Sequence, residues 1–212
     1  MAKQKTKLID PVDVDPNGLA EAQAVAGAGN ITLNGALISG GVFTGDYARI
    51  ISITSDGADS GRTFTLTGTD PDGKAQTEDV TGPATATVES SSYWTTVTSI
   101  YSDAACAGNI SSGTVDEIAT NTVPLDKYCG DPATVSCENL SGVIDFTIQE
   151  CYTDFQNKTT AIQWYDVTNL TQRDSVSAND LDNHASGVRL ITNSYTSGAQ
   201  LDFVINQNRS LN

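Results

Sequence analysis

Polar and apolar residues alternate along much of this chain. In residues 62–69, Thr63, Thr65 and Thr67 alternate with Phe64 and Leu66. A period of two puts one set of side chains on a buried face, so the run predicts a strand. Asp70-Pro71-Asp72-Gly73 follows. Pro71 presets φ and Gly73 accepts a positive φ without a Cβ clash, so these four residues predict a tight turn. The next run, 75–81, is rich in Thr and acidic residues. Residues 62–83 therefore predict a β-hairpin whose outer face is hydroxyls and carboxylates.

The same reading predicts further strands at 31–38, 48–54, 84–88, 93–102 and 109–114, separated by Gly, Asp and Pro punctuation. Pro124 and Pro132 break the rhythm, and a second set follows at 142–150, 160–167, 175–178, 187–193 and 199–206. Within it Ile144, Phe146 and Ile148 alternate, as do Leu201, Phe203 and Ile205, and these six are candidate core. Short strands at near-regular spacing predict an all-β chain of two β-sandwich-like or β-barrel-like units. The expected division is an N-terminal arm over 1–30, a first β-domain over 31–120, a linker over 121–134 and a second β-domain over 135–212.

The first thirty residues differ in kind. Pro11 and Pro16 bias their predecessors toward extended structure. Residues 19–28 predict a short helix, with Asn17 as N-cap and Gly27 and Gly29 ending it. The segment reads either as a frayed terminus or as an arm that orders on a neighbouring subunit. In the second reading Lys3, Lys5 and Lys7 form a basic tip, and Val12, Val14, Leu19 and Val25 are the apolar contacts.

Composition narrows the function classes. Hydrophobic residues make up 38% of the 212 positions and charged residues 17%, which is not the profile of a disordered chain. Twenty-six acidic residues against 11 basic ones give a net charge of −15. Such a surface repels phosphate backbones and anionic membranes, so neither direct nucleic-acid binding nor membrane binding is expected. The basic start has no apolar stretch behind it, and synthesis in a cytoplasm without a secretion signal is the expectation.

Candidate chemistry is sparse. Cys106, Cys129, Cys137 and Cys151 contain no Cys-x-x-Cys spacing, and His184 is the sole histidine, so no zinc site is expected. A Cys129–Cys137 disulfide is open as an alternative to free thiols. Asp56, Asp59, Asp70 and Asp72, and Asn179, Asp180, Asp182 and Asn183, fall in predicted turns. There they cap their own backbone or, as the alternative, bind calcium. No nucleophile elbow or phosphate-binding loop is present, and Trp94 and Trp164 sit in strand-like runs that suggest core packing. No enzyme activity and no cofactor are expected.

Several stretches carry a resemblance: ARIISITS from Ala48, GRTFTLTGTDPDG from Gly61, EDVTGP from Glu78 and WTTVTSI from Trp94, together with AGAGNITLNGALISGG from Ala26 and VRLITNSYTSG from Val188. Together they resemble small β-rich virion proteins of tailed bacteriophages, over about two-thirds of the chain. The resemblance implies a non-enzymatic virion protein assembled in a host cytoplasm, with no catalytic residues to carry over. Within that group the expectation is a capsid decoration, or cement, protein. It would bind the major capsid protein and neighbouring copies of itself and act as a homo-oligomer. The alternatives are a tail-tube, adaptor or fibre-base component, or a host-surface glycan-binding module displaying Tyr93, Trp94, Tyr101 or Trp164.

Overall fold

The computed structural model describes residues 3–126, 132–153, 162–171, 173–175, 177–181 and 184–207. The chain divides into two compact units. A terminal unit is built from both chain ends, Met1–Asp13 and Ala119–Asn212, and an inserted unit comprises Val14–Ile118. The protein is all-β, and the described residues contain no helix.

Strand β1 (Lys3–Ile9) belongs to the terminal unit. The inserted unit carries β2 (Ala20–Ala24), β3 (Gly29–Asn30), β4 (Ile38–Ser39), β5 (Val42–Ser55), β6 (Thr63–Thr69), β7 (Ala75–Thr81), β8 (Thr87–Glu89), β9 (Trp94–Ser102) and nearly all of β10 (Asn109–Ala119). The terminal unit resumes with β11 (Val123–Pro124), β12 (Thr134–Ser141), β13 (Ile144–Cys151), β14 (Tyr165–Asp166), β15 (Ser177–Asp180), β16 (Gly187–Tyr195) and β17 (Gln200–Gln207).

In the inserted unit the strand order is β10-β5-β9-β6-β7, with β2 on β10, β3 on β9, and β4 and β8 on β5. The 62–83 hairpin forms as expected, and its register runs from Thr63 opposite Thr81 to Thr69 opposite Ala75. Its turn is held by Asp70, whose Oδ1 accepts from the amides of Asp72 (2.9 Å) and Lys74 (2.8 Å). Gly73 takes φ +77°, a conformation that costs glycine little. Strand β5 changes partners along its length, meeting β9 at Phe43 and Thr44 and β8 at Ser52–Thr54. Residues 48–53 are buried without a break, so this stretch is covered on both faces. Arg49 survives there because Asp46 receives its Nη2 at 2.8 Å and its Nε at 3.2 Å. Phe43, Ile51, Ile53, Phe64, Leu66 and Trp94 form the centre of the core.

The short helix expected at 19–28 is replaced by strand β2. Ten residues form a marginal helix in isolation. Here the backbone finds a better partner: Ala24, Gln23 and Ala20 lie opposite Asn109, Ile110 and Ser112 of β10. Its other side is served by side-chain amides. Gln23 donates to Thr32 O (2.8 Å) and accepts from Thr32 N (3.0 Å), while Asn34 accepts from Glu21 N (3.0 Å). Gln23 thus stands in for a backbone peptide unit. Residues 32–37 accordingly lie outside any strand, and the strand expected at 31–38 is reduced to Ile38 at its end. Just upstream, Asp15 and Pro16 run so close to β10 that a Cβ on Gly113 would clash with the backbone of Asp15 and Pro16.

The terminal unit has one sheet in the order β1-β17-β12-β15 and a second set of strands, β14-β13-β16, with β11 paired to β16. Among the described residues its pairings are antiparallel. Ile9, Val135, Cys137, Leu201, Phe203 and Ile205 are buried on the first sheet, and Ile144, Phe146, Ile148, Val188 and Leu190 on the second. All six residues expected to form this core are therefore in it. One buried face per sheet gives the unit its sandwich-like character.

Two expectations about organisation give way here. Residues 3–9 are not an arm but strand β1, paired with β17 from Lys3 opposite Gln207 to Ile9 opposite Leu201. The unit boundaries fall at Asp13/Val14 and Ile118/Ala119, and the stretch expected as a linker includes β11 and the first residue of β12. Burial of Ile9 inside the terminal unit makes a direct prediction. Urea unfolding of Ile9→Ala should show a loss of about 3 kcal/mol, typical of a truncated core isoleucine. An unchanged midpoint would mean that β1 is peripheral to the fold.

Candidate functional site

The acidic turns were the main candidates for chemistry. In the inserted unit, Asp59 is 1% exposed. Its carboxylate accepts from Ser55 Oγ (2.6 Å), Ala107 N (2.6 Å) and Gly108 N (3.1 Å). Beside it, Asp56 accepts from Asn109 N (2.6 Å) and Asn109 Nδ2 (3.1 Å). Thr85, at φ +52°, donates its amide to Gly57 O (2.7 Å), and Arg62 Nε donates to Ala105 O (2.7 Å). A β-branched residue at positive φ is strained, so the surrounding contacts must hold it there. These carboxylates tie the 55–59 loop to residues 107–109 by supplying acceptors to backbone amides, and the Thr85–Gly57 backbone bond joins a third loop to them.

Burial pushes the Asp59 carboxyl pKa up. Hydrogen bonds from Ser55, Ala107 and Gly108, and the positive charge of Arg62, outweigh that and hold it below its usual value. Among the described residues, no group of three or more His, Cys, Asp or Glu side chains is placed to hold a metal ion. Cys106, Cys137 and Cys151 are free thiols, and burial pushes Cys137 up to about 12. Cys129, Asp182 and Asn183 lie outside the described residues. His184 is exposed. Trp94 is fully buried, as expected of a core residue, whereas Trp164 is half-buried outside any strand with Arg189 over its ring.

The seven residues expected to form a binding arm are dispersed. Lys3, Lys5 and Lys7 lie in β1. Lys5 forms part of the wall of a cleft of about 310 Å³, with Val123, Pro124, Leu125 and Ile205. Lys7 is half-buried, donates to Asn121 Oδ1 at 2.9 Å, and has its pKa lowered by burial. Leu19 is in the inserted unit's core and Val25 packs against that core. Val14 is exposed on the inserted unit, and Val12 on the terminal unit. A detached basic tip is thus replaced by an edge strand paired along its length with β17.

One end of the terminal unit gathers exposed apolar residues. Two connections carry the chain between its sheets, at 141–143 and 196–199, and they are bound to each other. Val143 N donates to Thr196 Oγ1 (3.0 Å), Thr196 N donates to Val143 O (2.9 Å), and Ser141 Oγ donates to Gly198 O (2.9 Å). Residues 10–13 lie along the same connections. Gln200 Nε2 donates to Asp10 Oδ2 (3.1 Å), Tyr195 OH to Val12 O (2.8 Å), and Ser197 Oγ to Asp13 Oδ2 (2.8 Å). Val12 (55% exposed), Val143 (55%) and Leu140 (48%) therefore share one end, with Leu8 (47%) close by on β1. Sequence reading found Val12 alone. The signal for the others was two apolar residues flanking the Ser141-Gly142 turn, where polar residues are usual.

No family model matches the chain, and no curated protein matches it.

Asp59 yields a pH prediction. Its depressed pKa contributes stability that is present above the unfolded value of about 3.9 and lost as pH falls through the folded value. Asp59→Ala should cost about 3 kcal/mol at neutral pH by stranding three donors. Asp59→Asn should flatten the fall in stability below pH 4. Denaturant titrations across pH check both, and a wild-type acid profile in Asp59→Asn would remove Asp59 from the account.

Proposed function

We propose that the protein is a structural protein of a tailed-bacteriophage particle, a decoration protein that binds the assembled head shell and stabilises it. The observation that carries the reading is the exposed apolar end of the terminal unit: Leu8, Val12, Leu140 and Val143. On a chain of net charge −15, such residues stand out from an otherwise charged and hydroxyl-rich surface. Grouped apolar residues of this kind mark interaction sites. The resemblance of ARIISITS, GRTFTLTGTDPDG and WTTVTSI to β-rich virion proteins supplies the class of partner.

The mechanism is passive. The end of the sandwich seats on the major capsid protein, and apolar contact excludes water there. The carboxylate-tied loops keep the inserted unit rigid, so little conformational entropy is lost on docking. Each contact is weak alone, and neighbouring copies on a regular lattice reinforce one another through avidity. The acidic surface keeps unbound copies apart and soluble.

The test is co-sedimentation of the purified protein with mature heads that lack it, and in parallel with purified tails. Saturable binding to heads is expected. Val12→Asp and Val143→Asp should each weaken it by more than about tenfold, the scale of one interfacial hot spot, while leaving thermal stability unchanged. Binding to tails and not heads would move the protein to the tail.

A further inference from the structure

The cleft of about 310 Å³ in the terminal unit joins apolar walls to an uncommitted cation. One wall belongs to the first sheet, where Lys5 of β1 lies opposite the buried Ile205 of β17. The other wall is Val123-Pro124-Leu125. Its backbone is pinned to β16 by the pairing of Val123 with Val188, and Leu125 N donates to Ser186 O at 2.9 Å. Gln207 bridges the walls: its side-chain amide accepts from Asp126 N and donates to Asp126 O, each at 3.0 Å. Both walls are therefore held in place before anything enters. Val123 and Leu125 are half-buried and Pro124 is exposed, so apolar surface is still open to solvent. Lys5 is exposed, and among the described residues nothing accepts a hydrogen bond from its ammonium or forms an ion pair with it. Lys7, the next lysine in the same row, is already bonded to Asn121.

We infer that this cleft binds a monocarboxylate with a linear apolar chain, of the size of octanoate. The chain lies against Val123, Pro124, Leu125 and Ile205, and the carboxylate pairs with the Lys5 ammonium, which has three donors to offer. The volume is at the small end for ligand sites, which suits a chain of medium length. Because backbone pairing already fixes the walls, little of the protein has to order on binding. Asp126 is the one acid in the lining, and it is exposed. It repels a second negative charge, so a monocarboxylate is favoured over a dicarboxylate of equal length. The net charge of −15 acts from farther away and is screened by salt beyond about 8 Å. Strand β1 itself has three lysines and no acid in its seven residues, so the field beside the cleft is locally positive.

The inference is independent of shell attachment, which uses Leu8, Val12, Leu140 and Val143. The cleft takes Ile205 and Gln207 from the last residues of β17, whereas Gln200 at its start is tied to Asp10 beside the apolar end.

Calorimetric titration of the full chain with sodium butanoate, hexanoate and octanoate tests the proposal. Affinity should rise along the series by about fourfold for each added methylene, the effect of burying it. Octylammonium and octanedioate match octanoate in chain length and should both bind more weakly. Lys5→Met keeps an aliphatic stem and removes the charge. It should weaken octanoate binding about fivefold, the scale of an exposed ion pair, and leave the thermal midpoint unchanged because Lys5 is exposed. Lys74→Met removes the same charge from the inserted unit and should leave octanoate binding as it is. No binding of octanoate, octylammonium binding as tightly as octanoate, or equal effects of the two lysine variants overturns the proposal.

Discussion

The terminal unit depends on one pairing, that of β1 with β17. It joins the start of the chain to its end, from Lys3 opposite Gln207 to Ile9 opposite Leu201. Without it, β17 would be an edge with unpaired amides and carbonyls, and the buried row of Ile9, Leu201, Phe203 and Ile205 would be open at one side. The pairing also explains how Val14–Ile118 comes to be an insertion, since the chain leaves the terminal unit after Asp13 and returns at Ala119. The inserted unit is contiguous in sequence, and its own two ends meet where β2 pairs with β10. The β1–β17 ladder spans almost the whole chain, and such non-local pairing is the slower kind to form.

Carboxylates play a structural part. Asp56, Asp59 and Asp70 each accept from backbone amides at turns, where an unpaired N–H would be costly. This division of labour lets a strongly acidic chain hold tight loops.

Much of the fold was legible in the sequence. The hairpin at 62–83 was clear because alternation and turn chemistry agreed over twenty residues, and the triplets Ile144/Phe146/Ile148 and Leu201/Phe203/Ile205 marked their core by period alone. Strand β1 was hidden because Lys5 and Lys7 alternate with Thr6 and Leu8, so no apolar period leads up to the buried Ile9. Strand β2 was hidden because its link to residues 32–34 runs through the side-chain amides of Gln23 and Asn34, which no period records. Strand β12 has just Val135 and Cys137 as alternating buried positions, too few to stand out beside Pro132. The apolar end was mostly illegible. Leu8, Leu140 and Val143 are far apart or unremarkable in sequence, and the inter-sheet connections at 141–143 and 196–199 bring them to one end.

The central claim is that the first residues are part of the body and not a clamp that orders on a partner. Amide hydrogen exchange on the free protein tests this most directly. Residues in β1 should exchange as slowly as their partners in β17, and should change little when shells are added. Exchange of residues 4–9 at the rate of an unstructured chain, with protection arising after binding alone, would contradict the account and restore the arm.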